Sequence, residues 1–244
     1  MASTANPRSE GRVDFGRSLG FVLEDPQWIK KMLLGGLMCL LSILFVGTIF
    51  IGGYFLRTIR RAARGEARPL PDWEDWGGLF VDGLVAFGVC LVHVFALLLP
   101  LIAGLGCLFG VAAAGVGSGE KGGNALGAVA GIGILALYAV VLLLALLLAV
   151  YLPAVLTRVA ILGRFGVVFE VRENIGLIRR NLGEYLLALV IYLVANFISQ
   201  FGVILLCVGI FPLTFWSYCV LAYPLGQIAG RDPMLATAAK ALSS

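Results

Sequence analysis

Long stretches of this chain carry no charge, and the polar residues gather in short islands between them. The charged side chains sit at 1–31, 57–82, 120–121, 158–184 and 231–240. The intervals are long enough to cross ~30 Å of hydrocarbon at ~1.5 Å per helical residue. This pattern predicts an all-α fold, a polytopic transmembrane helical bundle. About six membrane segments are expected, near 27–45, 48–64, 79–109, 125–152, 184–206 and 210–229. Interfacial amphipathic helices are expected at 72–82 and 165–180.

The first two segments need an argument, because 32–56 is one unbroken uncharged run. Arg17, Lys30 and Lys31 precede it, and Arg57, Arg60, Arg61, Arg64 and Arg68 follow it. Positive charge concentrates on one side of a membrane, so a single span would split the two clusters. A hairpin turning near Val46-Gly47 keeps them together. Asp25-Pro26 has the form of a helix start, with Asp as N-cap and Pro in the first turn, and Trp28, Lys30 and Lys31 are expected at the interface. Further on, Pro100 is a possible kink, GVGSGEKGGN at 115–124 reads as an external loop, and Tyr151 and Pro153 end the fourth segment. Asn181 to Glu184 has capping-box form with Asn in place of Ser or Thr, and Val208-Gly209 turns the chain again. The order of cap, apolar run, Val-Gly turn and returning helix thus occurs twice. Both termini are placed in the cytoplasm: 1–24 as an N-terminal tail without the features of a signal peptide, 25–230 as the membrane domain, 231–244 as a C-terminal tail. A five-segment arrangement with an external N-terminus is the alternative.

Composition agrees with a membrane assignment. The chain is 60% hydrophobic and 13% charged, with a mean hydropathy of +0.99, whereas soluble domains are about 25% charged. The net charge of +4 comes with clustered arginine, which favours anionic lipid as a partner. Nucleic acid is not expected, since the basic residues flank the membrane-length segments. Cys39, Cys90, Cys107, Cys207 and Cys219 lie inside apolar runs without ligand spacing and read as small buried residues.

The stretch RPLPDWEDW, 68–76, sets the topology of the first corner. Arg57, Arg60, Arg61 and Arg64 are spaced i, i+3, i+4 and i+7, so they share one helical face. Pro69 and Pro71 are expected to stop that helix and Asp72 to cap the next. Trp73 and Trp76, a turn apart, suit the head-group layer. Glu74, Asp75 and Asp82 are placed to pair with the arginines. The segment reads as a cytoplasmic corner brace. Arg57, Arg60, Arg61, Arg64, Trp73 and Trp76 also form a candidate docking site for lipid or a partner.

Three blocks carry a resemblance: FGRSLGFVLEDPQWIKKMLLGGL, then GYFLRTIRRAARGEARPLPDWEDWGGLFVDGL, then FEVRENIGLIRRNLGEYLLALV. In order and spacing they resemble the DUF4013 family of prokaryotic membrane proteins, over roughly residues 15–230. The chain departs from that pattern in having no proline near the first Val-Gly turn, which leaves the sharpness of the turn open. The resemblance implies a multi-pass membrane protein of the prokaryotic plasma membrane and supplies no reaction, ligand or catalytic residue.

Candidates for chemistry are few. His93, the sole histidine, lies mid-span, where an ionisable residue is a functional candidate. No charged residue lies in an apolar core to relay a proton to it, so a hydrogen-bonded neutral ring is expected. Asn196 and Gln200 share a face with Ser199 beside them, either lining a polar path or fastening helices. Gly106 with Gly110, and Gly123 with Gly127 and Gly131, have GxxxG spacing for close helix packing, within the chain or with a partner. Gly35-Gly36 and Gly52-Gly53 invite the same reading. No catalytic triad, HExxH, P-loop or dinucleotide fingerprint occurs, and no cofactor or metal site is expected. The leading expectation is a non-enzymatic scaffold or accessory subunit, packing against other integral membrane proteins or itself. The alternative is a small-solute transporter or permeation protein. A lipid-handling enzyme is a third, weaker expectation.

Overall fold

The computed structural model describes residues 13–116, 119–204 and 208–241. All regular structure in these residues is helical. The elements are α1 (Phe15–Gly20), α2 (Trp28–Leu41), α3 (Val46–Ala63), α4 (Trp76–Val116), α5 (Gly119–Leu162), α6 (Val171–Arg180), α7 (Leu182–Gln200), α8 (Ile210–Arg231) and α9 (Ala236–Ala241). Short 3₁₀ turns occupy 21–24, 42–44, 165–169 and 201–204. Three stretches are long and apolar enough to cross a membrane: Trp76–Gly115, Asn124–Leu162 and Leu182–Ile204. A fourth is added if Phe15–Glu24 and Trp28–Leu44, bent by 100° at their break, count as one span. The six segments expected from the sequence are therefore not all distinguished by length and apolarity. α3 carries arginines in its last turns, and α8 includes Thr214, Ser217 and Gln227.

The chain divides into two compact units, Met1–Val89 with Pro153–Ser244, and Cys90–Leu152. In the first, α8 is the central helix. α2, α3 and α7 all pack on it, and α1 and α9 lie against it as well. Its residues from Cys219 to Gly226 are buried without a break. An apolar cluster of Phe21, Met32, Met38, Tyr54, Leu70, Trp73, Leu79, Phe215, Cys219 and Tyr223 fills the space around it. Tyr54 stacks on Trp73 at 4.8 Å and meets Phe215 edge-on at 5.0 Å.

α2 and α3 fold back on each other and share this core. The turn is made at Phe45, whose φ of 62° is unusual for a side chain with a Cβ. No proline is needed there. Gly47 follows, and a Cβ on it would fall on the Met38 carbonyl. The glycine pairs predicted to pack closely do so: Gly35 and Gly36 admit Phe215 and Pro212 of α8, while Gly52 and Gly53 admit Ala86 and the backbone of Leu79 in α4. The hairpin of α7 and α8 repeats the first in element order but not in packing, because α8 is enclosed by three helices.

Several local expectations are corrected. The predicted loop at 115–124 is shorter: α4 runs to Val116 and α5 begins at Gly119, with 117–118 outside the described residues. Pro153 does not end α5, which continues to Leu162; proline is tolerated where membrane helices find other partners for the freed backbone. Nor do Pro69 and Pro71 end α3. Gly65, at φ 72°, ends it in a Schellman turn, with Gly65 N–H donating to Ala62 O and Glu66 N–H to Arg61 O. No separate helix spans 72–82, because Trp76 already opens α4. The amphipathic segment at 165–180 is present as a 3₁₀ turn and α6.

The described parts of both tails pack against the helices. Residues 13–24 form α1 and a 3₁₀ turn, and Phe21 stacks on Tyr223 of α8 at 4.5 Å. At the other end Leu235 and Ala239 are buried.

Candidate functional site

Apolar helices of membrane length still need polar ends, and in the first unit these ends are joined by a set of ion-pair and hydrogen-bond clusters. It starts at the N-terminus. Asp14 caps α1 by accepting from Arg17 N–H at 3.0 Å, while its own N–H donates to Gln227 of α8. Arg17 forks onto Glu24 and donates to the Ala67 carbonyl at 2.8 Å. Val13 N–H donates to Glu184 at 3.4 Å.

Lys31 continues the set. Its Nζ lies 2.7 Å from Asp25 Oδ2 and 2.8 Å from Asp72 Oδ1, and donates to the Leu70 carbonyl at 3.2 Å. This corrects three expectations. Lys31 is buried rather than interfacial. Asp25 makes a turn with Gln27 N–H and pairs with Lys31, and the N-cap position belongs to Gln27. Asp72 caps no helix; Asp75 does, accepting from Gly78 N–H at 2.9 Å. The sequence held a signal for Lys31, since it shares a helical face with the buried Gly35 and Met38.

The arginine stripe of α3 divides: Arg57 and Arg60 face α4, whereas Arg61 and Arg64 face the corner that follows α3. Asp82 bridges Arg57 at 2.9 Å and Arg60 at 2.8 Å, and Asp75 takes a second nitrogen of Arg57 at 2.8 Å. Asp75 and Asp82 are seven residues apart, so both meet the same face of α3. Glu66, which sequence reasoning missed, holds Arg61 and Arg64. Arg60 also donates to Ala160 O and Arg61 to Leu70 O, each at 2.7 Å. Glu74 forms no ion pair among the described residues. The four arginines line an open pocket of about 470 Å³ with four acids, Asp72, Glu74, Asp75 and Asp82. Trp73 is not at the head-group surface. It is buried on Tyr54 and donates its indole N–H to Lys31 O at 3.3 Å, while Trp76 remains exposed.

The set closes around the other helix ends. Arg158, nearly buried, donates to Asn174 at 2.6 Å and pairs with Glu170 at 2.7 Å. Arg180 forks onto Asp232, a fully buried carboxylate after α8. Asn181 sits at the N-cap position of α7, yet its side chain donates to Leu177 O and Asp232. The expected capping box is therefore not formed: Asp232 is the stronger partner for that amide, and Glu184 is engaged by Val13.

Burial raises the Asp232 carboxyl, but hydrogen bonds from Arg180 and Asn181 outweigh it and leave the group below the usual carboxylate range. Glu66 follows the same balance with Arg61 and Arg64. The hydrogen bond from Lys31 lowers Asp72.

The remaining candidates lie elsewhere. His93 is buried beside Tyr151, with ring centroids 5.5 Å apart. Ser199 and Gln200 both donate back to the Asn196 carbonyl, at 2.6 and 3.5 Å. Those bonds lie within α7 itself. Gly106, Gly110, Gly127 and Gly131 meet nothing within 4 Å of a would-be Cβ. In that unit α4 and α5 approach instead where Gly104 meets Leu137 and Gly133 meets Leu108. The surroundings of Gly123 and the placement of Cys207 lie outside the described residues. Cys219 is buried as expected, whereas Cys39 and Cys90 are half-buried and Cys107 is exposed.

An all-helical chain with at least three helices of membrane-crossing length and apolarity, tied at their polar ends by paired charges, is the class these features define. Within that class, the family model described as protein of unknown function (DUF4013) matches residues 36–208. The chain belongs to the DUF4013 family. No curated protein and no solved structure matches it.

Proposed function

We propose that this chain is a non-enzymatic integral membrane protein of the prokaryotic plasma membrane, acting as a scaffold or accessory subunit that packs against other membrane proteins and anionic lipid. The observation that carries this reading is the surface of residues 90–152. None of the most apolar 18-residue window of Asn124–Leu162, with a mean hydropathy of 3.0, is buried within the chain. The small faces at Gly106/Gly110 and Gly127/Gly131 are open. Such faces let a second helix approach closely in lipid, where packing rather than water drives association.

Six segments with both termini cytoplasmic are supported by the polar layer. Residues 13–25, the end of α3, the start of α4, the end of α5, the start of α7 and the end of α8 are linked through it. Three excursions then leave that layer and return: α2–α3, α4–α5 and α7–α8. Clustered arginine at that level fits the cytoplasmic side.

Gentle extraction from native membranes followed by native mass spectrometry tests the role. Stoichiometric membrane proteins that are lost when Gly127 and Gly131 are changed to Leu support the scaffold. A monomer or homo-oligomer carrying only lipid contradicts it and brings solute transport forward.

A further inference from the structure

Two adjacent lysines meet opposite fates. Lys31 turns inward to Asp25 and Asp72. Lys30 is exposed and forms no ion pair among the described residues. It stands at a groove of about 720 Å³ lined by Pro26, Gln27, Ile29, Leu33, Leu34 and Leu37. Ile29, Leu33 and Leu37 are exposed one turn apart, and Leu40 extends the stripe. From Ile29 to Leu40 the helical rise covers roughly 16 Å, close to the ~15 Å depth of one hydrocarbon leaflet. Trp28 is exposed beside the mouth, and the positive end of the α2 dipole lies there too. Lys31, one residue on, is tied into the polar layer, so Lys30 sits at head-group level while the stripe descends from it.

The arginine pocket differs in kind, because each of its four arginines already holds a carboxylate. An anionic head group there must displace an internal partner. At Lys30 it breaks no direct ion pair among the described residues, and the nearby Asp72 carboxylate, which feels Lys30 electrostatically, is already held by Lys31. We infer that the groove on α2 seats one phospholipid with a net negative head group, its phosphate on Lys30 and one acyl chain along Ile29, Leu33 and Leu37. This inference rests on the membrane reading of α2.

The test uses the full chain in mild detergent, with phosphatidylglycerol or phosphatidylethanolamine added and retention read by native mass spectrometry. The wild type retains one phosphatidylglycerol in preference to phosphatidylethanolamine. Lys30→Gln weakens that retention about tenfold, the scale of one charge-assisted hydrogen bond. Lys30→Arg keeps it. Leu33→Trp, which fills the groove, weakens retention of both lipids, and soluble glycerol phosphate does not compete. Equal retention in all variants overturns the assignment, as does competition by glycerol phosphate. So does a co-purifying protein crosslinked through Leu33→Cys, since a partner helix would then occupy the groove. Resistance to alkaline extraction is scored on the same membranes. A chain that resists extraction but binds lipid equally in all variants loses the groove and keeps the membrane reading; a chain released by alkali loses both.

Discussion

Lys31 and Asp25 form an ion pair of 2.7 Å in which each side chain is only about one-twentieth exposed. It joins the first turn of α2 to the segment entering it, and through Asp72 to the corner after α3. Removing one member of such a pair strands a buried charge. Lys31→Met is expected to lower stability by about 3–5 kcal/mol. Adding Asp25→Asn should restore a large part of that loss. Thermal unfolding of the three variants in detergent checks this, and a single variant as stable as wild type contradicts it.

The glycines separate into two groups that substitution should distinguish. Gly53→Ala and Gly83→Ala would drive a methyl onto the backbone oxygens of Leu79 and Ile49, costing about 1–3 kcal/mol through overpacking. Gly127→Ala and Gly131→Ala meet open space and should leave the isolated chain unchanged or up to about 1 kcal/mol more stable. Melting temperatures in detergent give the comparison directly.

Tyr54 is a buried phenol whose hydroxyl finds no hydrogen-bond partner among the described residues. An unsatisfied buried hydroxyl is costly. Tyr54→Phe keeps the stack on Trp73 and should raise stability by about 1 kcal/mol. A clear drop on the same melting assay would mean that the hydroxyl is satisfied after all.

Carboxylates held below their ordinary range make the polar layer acid-sensitive. For Asp232, Glu66 and Asp72 the folded pKa is depressed. Their contribution is complete above the unfolded values near pH 4. It is lost as pH falls through the lower folded values, because the unfolded chain then binds more protons. The melting temperature should be nearly flat from pH 7 to about 5 and fall below about pH 4. Asp232→Asn should melt lower at neutral pH and show a shallower acid slope.

Charge islands and apolar runs made the helices legible, since membrane-length segments announce themselves by composition. The hairpin at 28–63 followed from keeping Lys30 and Lys31 on the same side as the α3 arginines. The arginine stripe followed from helical spacing; of the three acids expected to pair with it, Asp75 and Asp82 meet Arg57 and Arg60, and Glu74 forms no ion pair among the described residues. What stayed hidden depended on long-range partners. Asp25, Asp72 and Asn181 each look like caps by local rules, yet Lys31 and Asp232 are stronger partners brought by the fold. Residues 14 and 232 were read as parts of tails because nothing local shows that Asp14 meets Gln227 or that Arg180 meets Asp232. Gly65 was the better stop signal for α3 and was overshadowed by two prolines further on. The open glycine faces were equally illegible, since GxxxG spacing does not say whether the covering helix belongs to the same chain.

The central claim is that one polar layer on the cytoplasmic side ties together three helical excursions. Its most direct test is a set of fusions to a reporter active only outside the cytoplasm, placed after residues 66, 120, 180 and 244. The account predicts activity after residue 120 alone. Activity after 66, 180 or 244 would contradict it.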